Sequence, residues 1–425
     1  MYRDLESRFE HDMSATNTFK TGTVTATSGA ANPNRNRKKA LMANRRKNIL
    51  FIKAGSFSNI NDALFRVFET QFPEYRTVIV DIHDVLRRHK AVLLTNLLHT
   101  IGCFGLRAAW AVTRKDRFLW YFFSTPYLFH AVRMLVNDHI ESMQPADFVF
   151  SLQTQTTFDL SLEGLPHFIY TDNVEIANDY IPGFRNLLPF QRFDLEKLVL
   201  RNASKIFTMS SNVQEAIVEH YGCQREKVSC VYAGSNVSAK TADSGQRNYF
   251  NKNILFVGRD FERKGGSILL EAFKLVRKSH PDARLTIVGC SQKLSVPNCN
   301  AVGLVPLGEV SKYYEQASVF CLPTFSEPFG IALVEAMTYK LPIVATGIAA
   351  IPDFVVEGKS GYLVRPGNVQ QLADALIRLL DDPDKCRSFG ETGYRIAIDR
   401  YTWERVGTRM RESIASVITL QADGG

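Results

Sequence analysis

Short β-rich runs recur in two sets along the 425 residues of this chain. The first set is Asn48–Ala54, Thr77–Ile82, Asp147–Leu152, His167–Thr171, Lys205–Met209 and Val228–Ala233. The second is Asn253–Val257, Arg284–Val288, Ala301–Val305, Val319–Pro323, Ile343–Thr346 and Tyr362–Val364. Several runs are followed by Gly, Ser, Thr or Asp, and helix-compatible stretches such as Ser267–Lys278 and Val369–Leu380 accompany them. Apolar strands alternating with helices predict parallel sheets covered on both faces. Two successive repeats of similar size predict two doubly wound α/β domains facing each other across a cleft. Ligands of such sheets bind beyond the carboxyl ends of the strands.

The pattern places the domains at 48–236 and 253–399, joined by a mostly polar linker at 237–252. The last stretch, Tyr401–Leu420 within 400–425, reads as a helix with Trp403 near its start, and one reading returns it to the first domain. Residues 1–47 are rich in Ser, Thr, Asn, Ala and Arg and read as a disordered basic arm. That arm holds ten Lys/Arg against four Asp/Glu, which leaves the rest of the chain, net +8 overall, nearly neutral. The folded body therefore gives no support to an overall nucleic-acid-binding charge, and no nucleic-acid partner is expected. The basic run Arg35–Lys39 with Arg45–Lys47 reads as a solvated tail or as a contact for anionic lipid headgroups.

Seven cysteines include no pair at CxxC spacing, and several fall in strand-like runs. That argues for a reduced, cytoplasmic protein over a disulfide framework or a zinc site. No apolar leader stands at the N-terminus. Residues 91–136 have three readings: buried core helices, an interfacial surface at a membrane, or a span. Ala91–Val112 is apolar enough for the last, but Arg107 inside it would be costly. Trp120, Tyr121, Phe122, Phe123 and Tyr127 beside Arg114, Lys115 and Arg117 fit a peripheral surface better.

Chemistry concentrates in two segments of the second repeat. In Ser326–Glu335, two carboxylates, Glu327 and Glu335, stand eight positions apart around Pro328, Phe329 and Gly330. Proline suits a first helical position, which puts Glu327 at a loop end and Glu335 about two turns into a helix. Free N–H groups at that helix start can hold an anion, and a carboxylate beside them can accept from hydroxyls. The arrangement suits a ligand that is both phosphate and sugar. The second segment, Val257–Gly266, follows a strand and opens a helix, with Arg259 and Lys264 across a tight loop. Arg offers a bidentate fork and Lys a point charge, a pair suited to a diphosphate. Taken alone, each segment could equally be ordinary surface charge.

In order along the chain, Phe256–Asp260 with Lys264–Gly266, Leu285–Gly289, Ala317–Thr324, Ser326–Ala336 and Gly358–Pro366 resemble the retaining GT-B glycosyltransferases of family four, also called group 1. The resemblance runs from about Asn48 to the final helix. It implies two Rossmann-like domains, an acceptor domain first and a nucleotide-sugar domain second. It implies that Arg259 and Lys264, with Gly258 in their loop, neutralise the diphosphate of the donor. Glu327 would touch donor sugar hydroxyls, and amides near Phe329, Gly330 and Ile331 would meet the diphosphate. Glu335 would bind the ribose, Val305 would meet the base, and Gly55 and Ser56 would line the cleft from the first domain. The donor is a co-substrate, and the resemblance implies no other cofactor and no bound metal. A glycan, lipid-linked or small-molecule acceptor, as in polysaccharide biosynthesis, would take the sugar with retained configuration.

The first domain offers Asp172, in His167–Asn173 at a strand end, as a catalytic candidate against a plain loop-capping role. Related enzymes often carry a histidine just after such an aspartate. Asn173 stands there in this chain, and Asn cannot act as a general base near neutral pH. His83, His99 and His130 read as surface or packing residues. Two other classes compete with transfer: a nucleotide-sugar epimerase or phosphorylase on the same fold, and a non-catalytic nucleotide-sugar-binding protein. A phosphorylase would call for a pyridoxal-phosphate lysine motif, which the sequence does not show. A binding protein could have lost the charged pair or the carboxylates, and this chain keeps all four.

Overall fold

A computed structural model describes residues 46–55, 60–105, 115–143, 147–178, 190–237, 248–292 and 294–423. The expected arm, apart from Arg46 and Lys47, lies outside these, as do Ser56, Arg107 and most of the expected linker.

Two six-stranded sheets form the framework, parallel at every pairing. The first holds β1 (Asn48–Lys53), β2 (Arg76–Asp81), β3 (Phe148–Thr154), β4 (His167–Thr171), β5 (Lys205–Thr208) and β6 (Val228–Cys230), in the order β2-β1-β3-β4-β5-β6. Its helices are α1 (Ile60–Gln71), α2 (Ile82–Arg88), α3 (Lys90–Phe104), α4 (Lys115–Phe123), α5 (Pro126–Ser142), α6 (Phe190–Asn202) and α7 (Ser211–Tyr221). The second sheet holds β7 (Asn253–Val257), β8 (Arg284–Val288), β9 (Cys299–Gly303), β10 (Val319–Leu322), β11 (Ile343–Thr346) and β12 (Gly361–Val364), in the order β12-β11-β10-β7-β8-β9. Its helices are α8 (Gly266–Ser279), α9 (Leu307–Gln316), α10 (Ile331–Thr338) and α11 (Val369–Leu380), followed by α12 (Pro383–Arg400) and α13 (Trp403–Asp423). Central strands β4, β10 and β11 are buried at every residue, the signature of a sheet covered on both faces.

Boundaries differ from the expected ones where a local device ends an element. β2 stops at Asp81 because that carboxylate caps α2, accepting from His83 N–H at 2.9 Å. β9 starts earlier than expected and stops at Gly303, whose φ of +86° turns the chain. Val305 therefore lies past the strand. Around 91–136, α3 is tied to the fold by buried Asn96, whose amide donates to Phe122 O at 2.8 Å. The outer side of α3 leaves Leu94, Leu98 and Ile101 exposed. No helix among the described residues is long and apolar enough to cross a membrane.

Among the described residues, contacts that join the two units include the following. Ser235 N–H, in the segment that leaves β6, donates to Tyr401 O at 2.9 Å. Asp353 of the second unit accepts from both the N–H and the hydroxyl of Ser211 at the start of α7. Helix α13 lies against α1, with Gly407 close on Val67 and Arg411 paired to Glu74 at 2.9 Å.

Candidate active site

Strand order reverses between β1 and β3 in the first sheet and between β10 and β7 in the second. Loops leaving neighbouring strands at such a point diverge and open a crevice. The loop after β7 carries Gly258, Arg259 and Lys264, and the loop after β10 carries Glu327. The two charged segments thus meet at one switch point.

Their contact is direct. Lys264 Nζ forms an ion pair with Glu327 Oε2, and both side chains are largely buried. Neighbouring residues lock the two loops. Arg263 donates to Ser326 O at 2.7 Å, Phe325 N–H donates to Arg263 O at 2.9 Å, and Thr324 Oγ donates to Ser326 O at 2.8 Å. Gly265, at φ +78°, packs so tightly on Pro323 that a Cβ would overlap its carbonyl oxygen. Gly258 N–H donates to Val288 O at 2.9 Å and closes the turn that presents Arg259, which is exposed.

Pro328 does not open the helix. It sits in a bend, and Gly330, at φ +98°, is the cap residue of α10, whose first helical residue is Ile331. Only glycine takes that left-handed turn cheaply. Glu335 is consequently little more than one turn into the helix, not two. No side chain caps α10 at Gly330, so its first amides are left to the loop after β10. The ring of Phe329 turns inward, against Phe354 and Tyr401 at 5.8 and 6.3 Å. Any ligand contact at Phe329 is thus left to the main chain.

Glu335 is buried, and burial pushes its carboxyl up to about 7. Two donors work against that shift: the Tyr314 hydroxyl, 2.9 Å from Oε2, and the main-chain N–H of Asn236. Neither was singled out from the sequence. Tyr314 could have been: an aromatic hydroxyl on the buried side of an amphipathic helix needs a polar partner.

In the first sheet, Gly55 follows β1 at φ +64°. A Cβ there would stand 2.9 Å from His83 Cε1, so the His83 ring lies directly against this turn. His83 was expected to be a packing or surface residue; it packs, beside the first switch point. Asn61 fixes the turn by donating to Gly55 O at 2.6 Å. Asp172 follows β4 and is half-buried. Burial chiefly, then the charge of Glu327, raises its carboxyl to about 7. Asp172 from one sheet and Glu327 from the other therefore share one crevice. His167, at the opposite end of β4, is buried between Ser151 Oγ at 2.8 Å and Gln153 Oε1 at 3.0 Å, and burial lowers it to about 4.

The description "Glycosyl transferases group 1" belongs to the family model that matches residues 240–396. Residues 240–396 are a glycosyl transferases group 1 domain. All the charged residues of the second-sheet crevice lie in this group 1 domain. A D-inositol 3-phosphate glycosyltransferase of Corynebacterium urealyticum is 27% identical over 277 residues, 59% of this chain and 65% of that relative. The chain thus spans just under two thirds of that protein's length. Sucrose-phosphate synthase from Thermosynechococcus elongatus superimposes with a TM-score of 0.62 at 16% identity, over 88% of this chain and 100% of that one. Anabaena Alr3699/HepE, solved in complex with UDP, does so with a TM-score of 0.60 at 15% identity, over 87% and 100%. The group 1 domain and the sheet before it are the two α/β halves of a GT-B fold.

Proposed function

We propose that the protein is a retaining glycosyltransferase that moves a sugar from a nucleotide-diphosphate sugar to an acceptor hydroxyl. The observation that carries this reading is the Lys264–Glu327 ion pair at the switch point of the second sheet, with Glu335 buried little more than one turn into the helix that follows. Lys264, Arg259 and the first amides of α10 are placed to meet the diphosphate. Glu327 takes hydroxyls of the sugar, Glu335 takes the ribose, and the loop at Val305 runs beside the base. Gly55 closes the crevice from the other sheet.

The step itself is a substitution at the anomeric carbon. The C1–O bond breaks, and its electron pair goes to the departing diphosphate. The acceptor oxygen bonds to C1 on the same face, and its proton passes to a phosphate oxygen of the leaving group. Negative charge grows on that group as the bond breaks, and fixed cations and amides aimed there lower the barrier. Arg259 and Lys264 supply this charge from the chain, so activity persists in a chelator. Asp172 faces the acceptor side, where its carboxylate accepts from a neighbouring hydroxyl of the acceptor and so orients the one that attacks.

Acceptors of this reading are glycans or lipid-linked sugars. Helix α3 supports a peripheral contact with a membrane. It has no acidic residue, exposes Leu94, Leu98 and Ile101, and follows Arg87 and Arg88. Apolar side chains beside basic ones fit a headgroup boundary. Co-sedimentation with anionic vesicles, lost in Leu98→Glu, checks that contact. For the reaction, the protein is incubated with labelled nucleotide sugars and an acceptor panel, with and without EDTA. Nucleotide release that needs an acceptor supports transfer; interconversion of the sugar without one rejects it.

A further inference from the structure

Glu335 is held by donors from two directions. Tyr314, on α9, is fully buried, and its ring stacks on Tyr339 at 5.4 Å and leans on Phe320 at 6.0 Å. Its hydroxyl has a carboxylate oxygen at 2.9 Å and the Ala332 carbonyl at 3.3 Å. One hydroxyl has one proton, and the closer, charged acceptor takes it. Asn236 comes from the segment that leaves the first sheet. That segment is itself pinned, since Ser235 N–H donates to Tyr401 O at 2.9 Å and Gly234 packs flat on Trp403.

We infer that Tyr314 is a positioning residue for nucleotide recognition: with the main-chain N–H of Asn236, it orients the Glu335 carboxylate so that its remaining lone pairs face the vicinal diol of a ribose. This rests on the reading of Glu335 given above and adds what makes that carboxylate fit for the task. A carboxylate has about four lone-pair positions. Two are spent on Tyr314 and Asn236, which leaves two, the number a ribose diol can fill.

The same geometry makes recognition depend on pH. Burial favours the protonated acid, and the two donors favour the ionised form that accepts from hydroxyls. Burial is the largest influence on Glu335 and the two donors oppose it; Tyr339 stands behind Tyr314. Nucleotide affinity therefore rises as pH climbs through about 7 and levels off above it. Loss of the Tyr314 hydroxyl moves that rise to higher pH.

The test is calorimetric titration of UDP, GDP and ADP into the full chain between about pH 6 and about pH 9. The tightest binder is carried forward with its 2′-deoxy and 3′-deoxy forms. Tyr314→Phe keeps the stacked ring and removes one oxygen. It should weaken binding roughly tenfold near neutrality, as loss of a hydrogen bond to a charged group does. Binding should recover at alkaline pH, and discrimination against the deoxy forms should fall in parallel. Glu335→Gln should bind weakly, with a profile that Tyr314→Phe no longer shifts. An unmoved profile in Tyr314→Phe, or an equal cost of Tyr314→Phe in the Glu335→Gln background, overturns the inference and leaves the donor site standing. A wild type that binds none of the three nucleotides overturns the donor site itself. Should Tyr314→Phe not fold, Asn236→Pro removes the other donor and is read in the same way.

Discussion

Lys264 and Glu327 cannot be understood separately. Each is largely buried, and removal of one strands the charge of the other at a cost of up to about 3 kcal/mol. Lys264→Ala should therefore lose stability as well as turnover, with kcat down about 100- to 1000-fold. The double variant Lys264→Ala/Glu327→Gln separates the two effects: melting temperature should return toward wild type while activity stays lost. Recovery of activity in the double variant would show that the lysine does no work on the diphosphate. Glu335 yields a second prediction. Its folded carboxyl, about 7, lies above the ordinary 4.5, so the folded state holds the proton more tightly than the unfolded one. The stability this gives is full below about pH 4.5 and is lost as pH rises through about 7. Glu335→Gln removes that dependence. Its advantage over wild type in thermal unfolding should grow across this window and level off near 3 kcal/mol. A difference that is flat with pH would mean that the carboxylate is solvated. All four charged residues were legible as candidates because each lies in the loop after a strand or in the helix that the loop opens, and carries the chemistry itself. Tyr314, Asn236 and His83 were not, because their roles come from contacts across the fold. Nothing local to Asn236 distinguishes a main-chain N–H that meets Glu335 from any other.

At the scale of elements, all the strands among the described residues were visible, because buried parallel strands are apolar runs bounded by turn formers. Their order in each sheet was not visible. It depends on which way each helical crossover carries the chain, and the switch points that bring Arg259, Lys264 and Glu327 together depend on it. The start of α10 was misplaced for a related reason. Proline at position 328 and glycine at position 330 both punctuate helices, and only the packed structure shows that Gly330 takes the positive φ. Two glycines with positive φ give a paired prediction. Gly265 and Gly358 have φ of +78° and +68°, so alanine strains either backbone by about 1 kcal/mol. At Gly358 nothing lies within 4 Å, and that strain is the whole cost. At Gly265 the methyl would meet the Pro323 carbonyl and push the Lys264 loop off β10. Gly265→Ala should therefore lose several times more stability than Gly358→Ala in thermal unfolding, and nucleotide binding with it. Equal losses would mean that the two loops are not seated on each other.

For the whole molecule, the question is what holds one sheet at a working distance from the other. Asp172 and Glu327 come from different sheets, yet the charge of one raises the carboxyl of the other. Their spacing depends on the joints beyond the crevice. Asp353 is the sharpest of these. Its carboxylate takes both the N–H and the hydroxyl of Ser211 at the N-terminus of α7, where the helix dipole favours an anion. Its carbonyl accepts from Tyr401 at 2.9 Å, and Tyr401 also receives Ser235 of the connecting segment. Phe354, the next residue, packs on Phe329 of the donor loop. Asp353 thus joins the second unit to the first sheet and, through Tyr401, to the connecting segment, while Phe354 beside it holds the loop of Phe329. Asp353→Ala keeps each sheet's own core, so far-ultraviolet circular dichroism should not change. Without the clasp the halves should sample wider separations, and small-angle scattering should give a larger radius of gyration. The Michaelis constant for the acceptor should rise more than that for the donor, since the donor loop stays with its own sheet while Asp172 moves away. An unchanged radius of gyration would assign the spacing to α13 on α1, and Arg411→Ala, which breaks the pair with Glu74, would then be the variant that opens the cleft.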